Sequence, residues 1–152
     1  MRRPARILLV LLAAVAFLAI SAALARVLSA NGAERTAIER LLGAQERGDA
    51  AGVVARIDGC AASAACQATA RANATRLRSP GKVVLVRFDP STNFSVGGHD
   101  GVARVVWKTP SRLTTVQCVT VHRGGDVLHG LTIELRSLSR PIARESSCPS
   151  AD

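Results

Sequence analysis

The segment Ser63–Phe88, SAACQATARANATRLRSPGKVVLVRF, contains the change on which the fold turns. Up to Leu77 it is alanine-rich and polar on its outside, with Ser63 in position to cap a helix. Ser79-Pro80-Gly81 stops that helix. From Val83 the period shortens from 3.6 to 2, and Val83–Phe88 reads as a strand.

Downstream, Val102–Trp107, Leu113–His122 and Val127–Leu138 are equally rich in β-branched residues. They are divided by Asp89-Pro90-Ser91-Thr92-Asn93, Gly97-Gly98-His99-Asp100-Gly101, Thr109-Pro110-Ser111 and Arg123-Gly124-Gly125-Asp126, all composed for turns. The last predicts a two-residue type I′ hairpin turn on Gly124-Gly125. That register pairs His122 with Val127, Thr120 with His129 and Cys118 with Leu131. Because Leu131, Ile133 and Leu135 form the apolar row, it points His122, His129, Thr120 and Cys118 inward.

Upstream, Ala37, Ile38, Leu41, Leu42 and Ala44 recur at helical spacing from Ala33. Glu34, Arg35, Glu39, Arg40, Glu46 and Arg47 take the other side, and the helix ends near Gly48. Asp49 caps a short second helix through Ala50, Val53, Val54 and Ile57, and Asp58-Gly59 is a turn. The expected fold class is α+β: an N-terminal transmembrane or signal helix, then three helices packed on a bent antiparallel sheet of four or more strands.

The N-terminal helix is Ile7–Ala25, an apolar run whose only polar member is Ser21, preceded by Arg2, Arg3 and Arg6. At about 1.5 Å per residue it spans ~28 Å, close to the ~30 Å of a bilayer core. Residues 1–28 read as a signal anchor. The alternative is a signal peptide cleaved after Ala25, with Ala23-Leu24-Ala25 as the small-x-small site, giving a secreted protein. In both readings the leading arginines stay cytoplasmic and the rest of the chain is extracytoplasmic. No cysteine stands near the end of the run, which excludes a lipidated lipoprotein. The domain then occupies residues 33–142, with a tail over 143–152.

The 152 residues carry a net charge of +9 with 3% aromatics and no tyrosine. Three of the 20 basic residues belong to the leader, and the others form no stripe with interleaved aromatics; Arg71, Arg76, Arg78 and Lys82 make one loose group. Nucleic acid is therefore excluded as a partner. The excess of arginine over lysine, with abundant alanine, reads as the codon usage of a GC-rich genome.

All four cysteines, Cys60, Cys66, Cys118 and Cys148, lie in the exported part, and an even count there suggests two disulfides. Of the three connectivities, Cys60 with Cys66 and Cys118 with Cys148 is preferred: the first closes a short loop between helices, the second ties the tail to the sheet. A zinc site is disfavoured, since no CxxC or CxxH pair is present. No cofactor or metal motif, nucleophile elbow or paired-carboxylate spacing occurs. The pocket candidates are Asp58, His122 and His129; the last two lie a diagonal apart in the expected register, as a ligand or proton-transfer site requires. Asn73-Ala74-Thr75 and Asn93-Phe94-Ser95 match the glycosylation sequon.

The first amphipathic helix, the Arg47-Gly48-Asp49 break into Ala50-Ala51-Gly52-Val53-Val54 and the four strands after Pro80 resemble the NTF2-like (cystatin-like α+β cone) superfamily over Ala33–Ile142. The resemblance implies a pocket between sheet and helices, used by isomerase-like and dehydratase-like enzymes, and many non-catalytic binding or assembly domains. Some such members are single-pass bacterial envelope proteins of lipid-import and conjugation systems. It would place Asp58 as general base, but the tyrosine that completes the isomerase site has no counterpart here. The expectation is thus a membrane-anchored accessory domain with a protein partner in the cell envelope. The alternative is a small-molecule-binding or isomerase-like enzyme using the cone pocket. The scarcity of aromatics (Phe88, Phe94 and Trp107 in the domain) weighs against the second.

Overall fold

The computed structural model describes residues 2–91, 98–126 and 130–149. The chain divides into two compact units, Met1–Gly32 and Ala33–Asp152. In the first, the large apolar side chains from Ile7 to Leu24, and Leu28, are 58–72% exposed, and the stretch is long and apolar enough to cross a membrane. Helix α1 is continuous over Arg2–Glu46. The expected separate anchor and first domain helix are therefore one element: no proline interrupts residues 26–36, and Gly32 is tolerated in a helix interior at a cost of about 1 kcal/mol.

The breaks between the helices follow the expected chemistry. Gly48 takes φ +75° after α1, and the Asp49 side chain accepts from the Gly52 N–H (2.7 Å) to cap α2 (Ala50–Val54). That helix stops before Ile57. A 3-10 turn, Cys60–Ala62, entered through Gly59 at φ +70°, leads to α3 (Ala64–Leu77), whose cap is Ser63 accepting from the Cys66 N–H.

Four strands, β1 (Val84–Asp89), β2 (His99–Thr109), β3 (Arg112–Asp126) and β4 (Gly130–Leu138), make one antiparallel sheet in the order β1-β2-β3-β4. The tight connection on Pro110 and Ser111 is as expected. His99, Asp100 and Gly101, expected in a turn, instead open β2.

The larger correction concerns the last hairpin. Gly124 and Gly125 do not turn; they lie in β3 opposite Thr132 and Leu131, and the connection falls between Asp126 and Gly130. A Gly-Gly pair permits a type I′ turn without requiring one, and cross-strand pairing along the whole of β3 outweighs that local preference. The face assignment inverts accordingly. Gln117, Val119 and Val121 point to the helices, while Cys118, Thr120 and His122 stand on the outer face. A one-residue bulge in β4 at Arg136, between Leu135 (opposite Val121) and Ser137 (opposite Thr120), absorbs the difference. Ile133 and Leu135 face inward as expected.

The outward Cys118 removes a conflict in the expected register, which paired an inward cysteine with an external tail. The chain after β4 runs beside β3, with the Ser139 and Ile142 N–H groups donating to the Cys118 and Val116 carbonyls (2.8 and 2.9 Å). It then crosses the outer face, where Cys148 bonds Cys118 and Arg104 donates to the Arg144 and Ser146 carbonyls. Cys60 and Cys66 form the second disulfide, so the preferred connectivity is the observed one.

Candidate functional site

Between the sheet and the helices, where a pocket was expected, lies the packed core. Ile38, Leu41, Leu42, Val53, Leu77, Ala103, Val105, Trp107, Val119 and Val121 are buried together. The polar groups among them are used up on one another. Trp107 Nε1 and Gln45 Nε2 both donate to Gln117 Oε1 (2.8 and 3.0 Å), and Gln117 Nε2 donates to the Ser139 carbonyl (3.0 Å). Among the described residues, no buried side-chain nitrogen or oxygen is left without a partner, so these buried groups offer a ligand no open hydrogen bond.

A second buried cluster was not expected. Glu34, placed by the sequence reading on the solvent side of its helix together with Glu46, is fully buried, and Glu46 nearly so. The Glu34 carboxylate accepts from the Ser91 N–H (3.1 Å) and hydroxyl (2.9 Å) and from Arg123 Nε (2.7 Å), so the buried charge is balanced by a cation and two neutral donors. The pair joins α1 to β3. A sequence signal existed: Glu34, Ile38, Leu41, Leu42 and Gln45 share one helical stripe, so two polar residues interrupt the apolar face at its own spacing.

Of the sequence candidates, Asp58 and His122 are not brought together. Asp58 follows α2 and its backbone N–H donates to the Leu135 carbonyl (2.7 Å) at the β4 edge. Its side chain is 53% exposed and ion-paired with Arg136, the bulge residue, which also bonds Glu134 (2.8 Å). Asp58 itself lines a groove of about 620 Å³, together with Ala37, Ala55, Ile133 and Leu135 and the charged Arg40, Arg56 and Glu134. His122 lies on the other face of the sheet, its Nδ1 2.8 Å from Asp100 Oδ1. His129 lies outside the described residues, as do Asn93 and Phe94. The other sequon is closed: Asn73 is buried, its Nδ2 donating to the Ser139 carbonyl (3.0 Å). Among the described residues, no group of three or more His, Cys, Asp or Glu is arranged to hold a metal ion.

No protein-family model matches the chain, and no curated protein or solved structure matches it either.

Proposed function

We propose that the protein is a membrane-anchored extracytoplasmic accessory domain, NTF2-like in layout, that acts by binding a protein partner in the cell envelope and not by catalysis. The observation that supports this reading is the satisfied core: Trp107, Gln117 and Gln45 bond one another between sheet and helices, and Asp58, on the wall of an open groove, is held in an ion pair. Two further features support it. A run of exposed aliphatic side chains from Ile7 to Leu24 calls for an apolar environment. Two disulfides using every cysteine belong to an oxidising compartment.

The test is extraction and accessibility of the full chain in cells. It is expected to stay with membranes in alkaline carbonate, to lose its C-terminal domain to protease added from outside, and to contain no alkylatable thiol before reduction. Recovery in the soluble fraction, or protection from external protease, overturns the reading.

A further inference from the structure

Folding gathers cations that the sequence spreads over some 65 residues. Ser79 N–H donates to the Glu46 carbonyl (3.0 Å), Arg78 packs on Gly48, Arg112 Nη2 donates to the Arg76 carbonyl (2.7 Å), and Val84 pairs with Lys108. The ends of α1 and α3, the start of β1 and the β2–β3 turn therefore converge, bringing Arg47, Arg76, Arg78, Lys82, Lys108 and Arg112 to one end of the domain. The carboxylates nearby are Glu39, ion-paired with Arg35, Glu46, which is buried, and Asp49, which caps α2.

At this end β1 is the edge strand, and among the described residues no backbone hydrogen bond is made on its outer side. Between it and α1 lies a groove of about 470 Å³ lined by Gly43, Leu85, Arg47 and Lys82, and also by Glu46 and the Arg35–Glu39 ion pair. Gly43 is the informative residue. A glycine inside a helix costs about 0.5–1 kcal/mol relative to alanine, yet a Cβ here would meet only the flexible tip of Arg47, at 3.4 Å. Nothing in this chain's own packing fills the place of the missing side chain, which leaves the groove open at this point.

We propose that the groove between α1 and β1 receives an extended acidic segment of a partner protein, which adds to β1 as a fifth strand. The free backbone supplies pairing, Gly43 admits the segment's inward side chains, and the surrounding cations supply charge complementarity. A second copy of this chain fits less well: the carboxylate of its β1, Asp89, is already engaged by Arg87 and Arg104. The bulge at Val86 limits straight pairing to the first half of β1. The proposal deepens the binding reading above and names its surface.

The test titrates a fluorescein-labelled peptide of alternating Glu and Val against the full chain in phosphatidylcholine nanodiscs, read by anisotropy. Saturable binding is expected, weakened about tenfold or more by Gly43→Leu, which fills the groove, and likewise by the surface pair Arg47→Glu and Lys82→Glu. Either variant losing affinity while keeping the wild-type melting temperature supports the site. The proposal is overturned by absence of saturable binding, or by binding that both variants leave intact. Equal binding of a Glu/Pro peptide, a Lys/Val peptide or oligothymidylate also overturns it, the cations then serving as edge protection or as a general polyanion surface. Failure here leaves membrane retention and accessibility standing. Release of the chain into the soluble fraction removes the anchored reading without touching the peptide result.

Discussion

At the β4 edge the chain is tied down repeatedly, whereas β1 ends in open backbone. On the β4 side the Asp58 N–H reaches the Leu135 carbonyl, the Asp58 carboxylate pairs with Arg136, and the chain after Leu138 continues along β3 before Cys148 bonds it to Cys118. The Cys60–Cys66 bridge lies beside the same strand, lining a cleft with Arg136 and Leu138. On the β1 side there is a six-residue strand with a bulge, a glycine in the facing helix and a groove lined by Arg47 and Lys82 together with Glu46 and the Arg35–Glu39 pair. The contrast separates two uses of one sheet: one edge secures the fold, and the other is left available.

If so, changes at the two edges differ in size and in sign. The largest effect belongs to the tail. Replacing Cys118 and Cys148 by alanine releases a loop with a sequence separation of 30 residues, and chemical denaturation is expected to show a loss of about 3–4 kcal/mol. Replacing Cys60 and Cys66, separated by 6 residues, is expected to cost about 2 kcal/mol in the same assay. At the β1 side the sign reverses: Gly43→Ala is expected to raise stability by about 0.5–1 kcal/mol, because helix propensity improves and nothing is displaced. A loss of stability there would mean that Gly43 is needed by the fold itself, and the contrast between edges would fail. The smallest effect is expected from Asp58→Asn. Its ion pair with Arg136 is half exposed, and removing it is expected to change stability by less than about 1 kcal/mol; a larger loss would make Asp58 part of the structure's essential scaffolding.

Local chemistry made much of this fold legible in the sequence. The break at Ser79-Pro80-Gly81, the left-handed Gly48, the caps at Asp49 and Ser63 and the alternation of Ile133 and Leu135 each depend on neighbours within a turn or two. What could not be read locally was decided by partners far along the chain. Gly124-Gly125 has the composition of a turn, but pairing with Leu131 and Thr132 holds it in the strand. Glu34 looked like a solvent-facing charge because its partners, Ser91 and Arg123, lie 57 and 89 residues away. The buried polar core was hidden for the same reason: Gln45 and Gln117, 72 residues apart, bond each other between helix and sheet. The cationic end was half visible as Arg76, Arg78 and Lys82, and became a surface only when Arg47, Lys108 and Arg112 joined it.

The claim on which the rest depends is that this domain works while held at a membrane. Mass spectrometry of the N-terminal peptide of the native protein tests it most directly. An anchored protein retains the apolar run from Ile7 to Ala25; a mature chain that begins at Arg26 contradicts membrane anchorage and makes the domain a released, secreted protein.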